Sequence, residues 1–489
     1  MSFSKQVVRG VQSTMVARVV DIVANAVLMV ILARFLLTPE EYGLLYVAIS
    51  VVGIAGLFGT LGLPSSTARY VTEYGEAKGG QIPHILRKTA IYMIALGLVV
   101  TITLILTREW VANIVSEPGL EPLLVAGALY VLFQSFHKYL TSVFQGFNQI
   151  SLSALLNAVS AVGRLIFAVI LATIGFGAVG ALLGYAIGFV LATVVGVWYI
   201  IRDFVPKYTP DEQMESGLTR RILEYSVPLT ATRSATVLDK KVDTILVGAI
   251  AGAASASYYT IAKQVTDACI APASSLGYTI SPAFGEDKVG DRLEKAAELY
   301  EKSLEHVLVL YIPGAVGLFL VAEPMVLQVF GPAYEGAVPV VQIISAFVFA
   351  NAVTRITSDG LDFLGRARER AIIKMTTAVA NFFLNLLLIP QYGAVGAALA
   401  TVVTHSIYAG TNVYIISREL PITFASIART GVGIVVVSAG MAIVVLQLVP
   451  FVSGVISLLG VVMAGIICWA ILSTVSGLFD VRQLVVFLQ

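Results

Sequence analysis

The sequence predicts an all-α polytopic membrane protein with fourteen transmembrane helices, and three observations lead to this fold class. First, 57% of the 489 residues are hydrophobic and only 12% are charged, whereas soluble domains contain about 25% charged residues. Second, the mean hydropathy is +0.88. Third, apolar runs of about 20 residues recur along the chain, which is the length of a helix that crosses a bilayer. These runs lack the alternation of polar and apolar residues that marks a membrane β-strand.

Charged, Gly and Pro residues delimit the runs and give the order of the helices. The first run carries Arg18 and Asp21 and lacks a small-residue cleavage site, so we expect a spanning helix there rather than a cleaved signal peptide. Successive apolar runs of about 18 residues or more give the other helices. The predicted spans are residues 11–37, 42–63, 86–107, 119–141, 151–174, 178–201, 222–248, 254–283, 303–322, 337–362, 371–390, 393–416, 425–448 and 452–478.

The distribution of basic residues over the connections predicts the orientation. Alternate connections and the two termini carry 22 Lys and Arg residues, whereas the opposite side carries Arg108 alone. Cytoplasmic loops are enriched in Lys and Arg. We therefore expect a multi-pass protein of the cell membrane with both termini in the cytoplasm.

An internal repeat predicts how the helices are grouped. The segment Phe176–Ala181 recurs as Tyr392–Ala397, at an offset of 216 residues. Six predicted helices separate the copies, so the two halves have the same orientation, as in a parallel repeat about an axis along the membrane normal. We predict an N-lobe over residues 1–201, a cytoplasmic linker over 202–221, a C-lobe over 222–418 and two further helices over 419–489.

Charged residues inside the predicted helices indicate a hydrated cavity. One charge at the bilayer centre costs ~2.5–3.5 kcal/mol, so these residues must be paired, reach the membrane surface or face water. The acids can neutralise at most half of the bases, so we expect a cavity of net positive charge. The bases are Arg18, Arg34, Arg164, Arg233, Lys240, Lys241, Lys263 and Arg355, and the acids are Asp21, Asp239, Asp243 and Asp267.

Helical spacing predicts which of these residues share a face. Residues three, four or seven positions apart lie on one side of a helix. Because both lobes present a charged stripe from their first helix, we expect a binding site at the interface of the lobes. The stripes are Arg18, Asp21 and Asn25 on the first helix, Arg233, Lys240 and Asp243 on the seventh, and Lys263 with Asp267 on the eighth.

Two of the charge pairs and a glycine repeat have a simpler, structural interpretation. Arg18 with Asp21 and Lys263 with Asp267 could form ion pairs that only hold helices together. The glycines at every third position of the second helix, residues 53 to 62, predict close helix packing.

Several function classes are excluded or disfavoured. The net charge of +1 excludes a basic nucleic-acid-binding protein. Two cysteines and four scattered histidines give neither a disulfide framework nor a metal site. We expect no catalytic residue, no metal and no cofactor. No nucleotide-binding pattern is present, so we do not expect ATP to drive the protein directly.

Short motifs near the N-terminus resemble a known family. Together with the helix number, they are similar to Wzx-type oligosaccharide flippases of the multidrug/oligosaccharidyl-lipid/polysaccharide (MOP) exporter superfamily, over essentially the whole chain. The motifs are Val16-Ala17-Arg18, Leu32-Ala33-Arg34-Phe35-Leu36, Glu41-Tyr42-Gly43-Leu44 and Ala68-Arg69-Tyr70.

The resemblance implies translocation of a lipid-linked oligosaccharide from the cytoplasmic to the outer leaflet by alternating access. Cationic residues of the cavity would hold the phosphate or pyrophosphate of a polyprenyl or dolichyl carrier. Na⁺ or H⁺ coupling is an open expectation, as are a monomeric state, contact with membrane lipids and partnership with glycan-assembly enzymes. The candidate substrate-binding residues are Arg18, Asn25, Arg164, Arg233, Lys240, Lys263 and Arg355, and the candidate ion-coupling residues are Asp21, Asp239, Asp243 and Asp267.

Other functions remain open from the sequence. A cation-coupled multidrug exporter of the same superfamily would favour an acidic cavity and usually twelve helices. A peptidoglycan-precursor flippase would have the same helix number. A membrane glycosyltransferase would need a large outer loop, whereas the predicted outer connections are short.

Overall fold

The computed structural model describes residues 3–270 and 293–478, without the side chains of residues 3–12, 76–77, 231–233, 359 and 363. All regular secondary structure in this part of the chain is helical. The first nine helices are α1 (Phe3–Ile31), α2 (Pro39–Thr60), α3 (Leu63–Ala77), α4 (Ile82–Val115), α5 (Leu120–Gly146), α6 (Ile150–Leu171), α7 (Gly177–Tyr199), α8 (Leu218–Ala251) and α9 (residues 253–270). The others are α10 (Leu293–Met325), α11 (Val338–Phe363), α12 (Ala367–Tyr392), α13 (Ala394–Glu419), α14 (Phe424–Leu448) and α15 (Val455–Val475).

The predicted all-α membrane class is confirmed. Eleven stretches within the described residues are long and apolar enough to cross a membrane, and one of them, Ile150–Lys207, contains both α6 and α7. The charged helix α8 is not among the eleven, because eight of its 34 residues are charged. The exact number of fourteen stays a prediction, and the end of the predicted eighth helix, 271–283, lies outside the described residues.

The chain between the predicted second and third helices differs from the prediction. It contains a further helix, α3, for which no span was predicted and which begins directly after Leu61 and Gly62 adopt left-handed backbone conformations at the end of α2. The length criterion for spanning helices missed α3 because its pattern is amphipathic rather than apolar. Its buried side chains recur at helical spacing, at Leu63, Ser66, Thr67, Tyr70, Val71 and Tyr74.

The internal repeat has a structural counterpart at the turns that precede α7 and α13. Gly177 has φ 51° and ψ −135°, and Gly393 has φ 58° and ψ −134°. Only glycine adopts this region without strain. The same unusual geometry at an offset of 216 residues therefore supports a duplication.

Two compact units make up the chain, Met1–Ala256 and Ser257–Gln489. The first unit includes α8, which the sequence assigned to the C-lobe. Helix α8 packs on α2, α3 and α4, and the buried hydroxyl of Ser66 donates a hydrogen bond of 2.9 Å to the carbonyl of Ile222. The second unit is built around α10, α11, α12 and α13, with α14 and α15 packed on α10. The lobe boundaries drawn from the repeat stay a prediction.

The glycines of α2 pack closely against neighbouring helices, as predicted. A Cβ atom on Gly56 would lie 3.3 Å from Val131 of α5, and one on Gly53 would lie 3.4 Å from the aliphatic chain of Lys241 on α8. At Gly62, between α2 and α3, it would lie 2.4 Å from a backbone oxygen of α8. Small residues therefore let α5 and α8 approach α2 from two sides.

The family-like motif at Tyr42 and Gly43 also has a packing explanation. Tyr42 is fully buried, and a Cβ atom on Gly43 would overlap the carbonyl oxygen of Ala253. The backbone amide of Ala253 in turn donates a 2.8 Å hydrogen bond to the Glu117 carboxylate. Gly43 thus leaves room for the first turn of α9.

Candidate functional site

Helices α1, α5 and α6 of the first unit enclose a polar cavity of about 440 Å³. This volume lies in the lower part of the range of ligand pockets, ~300–1,000 Å³. Its lining is Thr14, Ala17, Arg18 and Asp21 from α1, His137 and Gln145 from α5, Ile150, Ser153, Ala154, Asn157, Ser160 and Arg164 from α6, and Phe189 from α7.

Helix α6 supplies a stripe of polar side chains to this cavity. Ser153, Asn157, Ser160 and Arg164 fall at intervals of three or four residues, so they lie on one face of the helix. The opposite contact, with α7, is close because of glycine: a Cβ atom on Gly188 would lie 2.6 Å from the backbone oxygen of Ser160. Tight packing on α7 therefore fixes the position of the stripe.

Arg164 is the most buried cation of the cavity. Its Nη2 donates a 2.9 Å hydrogen bond to Oδ1 of Asp21, and its side chain is 15% exposed against 47% for Asp21. The guanidinium carbon lies 5.2 Å from the centroid of the Tyr185 ring, a cation–π contact. Nε of Arg164 is buried and has no hydrogen-bond partner among the described residues.

The Tyr185 ring that contacts this guanidinium belongs to an aromatic cluster. The Tyr185 ring lies 6.4 Å from that of Tyr130, and Phe189 lies edge-on to Tyr130 at 5.4 Å. The hydroxyl of Tyr130 accepts a hydrogen bond of 2.6 Å from Gln134. These rings hold Arg164 in a largely apolar setting, which strengthens its electrostatic attraction for a negative group.

Arg18 lines the same cavity but is exposed. Within the part of the chain that the structure describes, no carboxylate lies within salt-bridge distance of Arg18. Asp21 pairs with Arg164 of α6 and not with its helix neighbour Arg18. With two bases and one acid, the cavity carries a net charge of about +1 at neutral pH.

His137 is a cavity residue that the sequence did not predict, because it is one of four scattered histidines. It lies on α5, lines the cavity and is only 7% exposed. Its ring is 5.2 Å from that of Phe189, and its Nε2 has no hydrogen-bond partner in the described residues. The sequence contains one indication that this face of α5 is polar: Gln145 lies eight positions later on the same helix face and also lines the cavity.

The other predicted residues lie elsewhere in the chain. Asn25 donates a 2.8 Å hydrogen bond to the backbone oxygen of Asp21 and is not part of the cavity lining. On α8, Asp239 and Lys240 are exposed, Asp243 is 6% exposed, and the side chain of Arg233 lies outside the described residues.

The second unit contains the remaining candidates. The ammonium of Lys263 lies 5.6 Å from the centroid of the Tyr259 ring, and Asp267 is exposed. Arg355 on α11 is exposed as well. The structure thus brings together Arg18, Asp21 and Arg164 of the predicted set, and the binding roles of all the candidates stay predictions.

Comparison with known proteins gives a family and a fold. A family described as polysaccharide biosynthesis protein matches residues 7–286, more than half of the chain. The lipopolysaccharide biosynthesis protein WzxC of Escherichia coli (strain K12) is 23% identical over 82% of this chain and 78% of its own length. The probable flippase AglR of Haloferax volcanii is 26% identical over 42% of this chain and 43% of its own.

A solved structure has the same fold over nearly the whole chain. The lipid II flippase MurJ, in an inward closed conformation, superposes with a TM-score of 0.77 and covers 98% of this chain and 100% of that one. The sequence identity is 17%.

Proposed function

On the premise that the chain belongs to the polysaccharide biosynthesis protein family, we propose that it is a flippase for a lipid-linked oligosaccharide. It carries the sugar headgroup and its phosphate from the cytoplasmic to the outer leaflet by alternating access. The protein is a membrane transporter and not an enzyme. It works in the cell membrane as a monomer with both termini in the cytoplasm, and it receives its cargo from glycan-assembly enzymes.

The observation that carries this proposal is the charge of the cavity in the first unit. Arg164 is largely buried within a helix bundle that crosses the membrane. Among the described residues it pairs with one carboxylate, that of Asp21, while Arg18 adds a second positive charge. A buried charge is costly and is typical of a functional site in a membrane helix. The surplus positive charge fits a phosphate or pyrophosphate group, and the hydroxyl and amide groups of α6 fit sugar hydroxyls.

The surface of α1 next to the cavity fits a lipid anchor. Met15 and Ile22 are 65% and 49% exposed, and they lie three positions before and four positions after Arg18, so they share its side of the helix. A carrier lipid could lie along these side chains while its phosphate reaches Arg18. The polyprenyl or dolichyl chain therefore need not enter the cavity.

Asp21 gives the proposal a coupling step. A phosphate that binds Arg164 competes with the Asp21 carboxylate, which then becomes free to bind H⁺ or Na⁺. Return of Asp21 to Arg164 would expel both the phosphate and the ion. An inside-negative potential would also favour outward movement of the anion by ~2.3 kcal/mol per charge per 100 mV.

The test is transport of a labelled lipid-linked oligosaccharide in proteoliposomes, read as headgroup accessibility in each leaflet. Arg164→Ala removes a charge-assisted hydrogen bond worth ~1.5–3 kcal/mol, so the apparent affinity should fall about tenfold to hundredfold. Arg164→Lys should restore part of it. Arg87→Ala, an exposed cation on α4 that does not line the cavity, is the matched control.

Unchanged affinity and rate in Arg164→Ala would refute the assignment of this cavity as the headgroup site. The rival multidrug exporter is tested in the same vesicles with a cationic dye. Because Arg18 and Arg164 repel a cation, we expect no protein-dependent dye transport. Dye transport that competes with the oligosaccharide would favour the rival.

A further inference from the structure

A second polar pocket lies where α7 leaves the apolar part of the first unit. The last turns of α7 expose apolar side chains, with Val194 61% and Trp198 49% exposed. The chain then continues through a π-helical turn, Ile200–Phe204, in which Ile201 is 63% exposed. Arg202 follows at once, with its guanidinium carbon 4.1 Å from the centroid of the Trp198 ring. An apolar helix face that ends in Trp and Arg is typical of the membrane–water interface.

The pocket beside Arg202 has a volume of about 350 Å³. The segment after α7 contributes Arg202, Asp203 and Lys207, and the start of α6 contributes Gln149 and Leu152. The pocket therefore lies between a cationic segment and a helix N-terminus, next to the exposed apolar face of α7.

The donors of this pocket are only partly used. Arg202 donates from Nε at 2.7 Å and from Nη2 at 2.9 Å to the two carboxylate oxygens of Asp203. Of the five N–H groups of a guanidinium, three remain, and they have no acceptor in the described part of the chain. The Lys207 ammonium lies 5.0 Å from the Phe204 ring centroid and has no carboxylate partner there either.

The charge and the helix dipole favour an anion. Arg202, Lys207 and Asp203 sum to a net charge of about +1 at neutral pH. Helix α6, of 22 residues, begins beside the pocket, where Gln149 and Leu152 form part of the lining, and it has no side-chain N-cap. The positive end of its helix dipole therefore lies next to the pocket.

We propose that this pocket binds the phosphate of an anionic lipid at the membrane surface. The exposed face of Val194, Trp198 and Ile201 receives the acyl or prenyl chain, and Arg202 and Lys207 hold the phosphate. This site is separate from the cavity of Arg18 and Arg164, and its occupation can be measured without any transport.

Fluorescence of Trp198 offers a direct test. In a chain in which Trp110 and Trp469 are replaced by Phe, Trp198 is the only tryptophan. Vesicles that contain acyl-brominated phosphatidylglycerol at a low mole fraction should quench Trp198 saturably, and brominated phosphatidylcholine should quench it weakly. Lys207→Ala should raise the half-saturating fraction about tenfold, because one charge-assisted contact is lost.

Two variants separate binding from folding. Arg87→Ala combined with Lys88→Ala removes two exposed cations outside the pocket and should leave quenching unchanged. Arg202→Lys keeps the charge and should retain part of the selectivity for phosphatidylglycerol. Equal quenching by both lipids, or no effect of Lys207→Ala and Arg202→Ala, would overturn the proposal.

Competition identifies the source of the phosphate. Relief of quenching by non-brominated polyprenyl phosphate indicates that carrier lipids use the pocket, and persistent quenching indicates a phospholipid site. Both results support a lipid-borne phosphate. Full relief by millimolar inorganic phosphate would contradict it, because the apolar face of α7 would then have no part in binding.

Discussion

At the residue scale, Arg164 depends on two unlike partners. Asp21 supplies a charge at 2.9 Å and Tyr185 supplies an aromatic face at 5.2 Å. The carboxylate is the partner that a phosphate would replace, whereas the ring would stay in contact throughout. Tyr185 is therefore a positioning residue for Arg164 in the proposed site.

Replacement of Tyr185 by Leu should weaken the apparent affinity for the lipid-linked oligosaccharide about twofold to tenfold, since a cation–π contact contributes ~0.5–1.4 kcal/mol at a partly desolvated site. Tyr185→Phe retains the ring and should behave like the unsubstituted chain in the proteoliposome assay. An affinity loss in Tyr185→Leu with an unchanged unfolding midpoint would distinguish the positioning role from a purely structural one, and an equal defect in both variants would contradict the positioning role.

At the scale of the elements, the glycine turns before α7 and α13 make a prediction on stability. Gly177→Ala and Gly393→Ala place a Cβ atom in a backbone region that costs ~1–3 kcal/mol for other residues. Thermal unfolding of each variant in detergent should show a lowered midpoint.

Gly454→Ala is the control for these turns, because Gly454 has extended backbone angles and no atom near its Cβ position. If the unfolding midpoint fell as much in this control as in the variants at residues 177 and 393, the loss of stability would not be due to backbone strain at the two turns.

The connection between α7 and α8, predicted as a linker, is attached to the start of α4 by a specific set of hydrogen bonds. Gln81 donates to Asp211 at 2.7 Å, and its side-chain oxygen accepts from the backbone of Glu215 at 2.8 Å. The Glu215 carboxylate also binds Lys78 at 2.9 Å and Arg221. We call this set of residues the clasp; it consists of Lys78, Gln81, Asp211, Glu215 and Arg221. The clasp holds the connection and the beginning of α8 against the start of α4.

The clasp should depend on pH through Glu215. Hydrogen bonds from Lys78 and Arg221 lower the pKa of the Glu215 carboxyl from 4.5 to about 2. Since the folded-state pKa is the lower one, the contribution of this group is complete above pH 4.5 and is lost as the pH falls toward 2. Hydrogen exchange of residues 208–217, corrected for intrinsic rates, should rise over that interval.

Glu215→Gln should raise the exchange of this segment already at pH 7 and should remove its pH dependence between pH 4.5 and 2. Glu73→Gln, in an exposed ion pair with Arg69 at 3.9 Å, is the control and should have little effect. The same pH profile in Glu215→Gln as in the unsubstituted chain would argue against Glu215 as the titrating group.

At the scale of the whole molecule, the two-lobe hypothesis makes a prediction for the second charged stripe. Arg233 and Lys240 lie on α8, and the cavity of the first unit does not include them. If both lobes contribute cations to the headgroup site, Arg233→Ala combined with Lys240→Ala should abolish export of the lipid-linked glycan without loss of expression.

The control for this pair is Lys302→Ala, which removes an exposed cation that pairs with Glu298 on α10. Unchanged export in the double variant would restrict the headgroup site to Arg18, Arg164 and their neighbours.

Local signals allowed much of this molecule to be predicted. The apolar runs located the long helices, because the length and apolarity that a bilayer demands are properties of a single segment. The repeated glycine turn could also be recognised from a local pattern, because the backbone conformation at Gly177 and Gly393 is strained for residues other than glycine. Arg18, Asp21 and Arg164 were selected because any charge in such a segment is costly.

The partners of those charges were decided only by the tertiary structure. Asp21 accepts a hydrogen bond from Arg164, 143 residues away, although Arg18 lies three positions from it on the same helix. Asn25 donates to the backbone oxygen of Asp21 and not to a cavity group. Helical spacing describes one helix at a time, whereas the packing of α1 on α6 determines which side chains meet. The same reason explains why His137 was not predicted: it lines the cavity because α5 packs beside α6 and α7. The sequence by itself determined that the chain is a helical membrane protein whose helices carry charge, and the packing of those helices decided which charges meet.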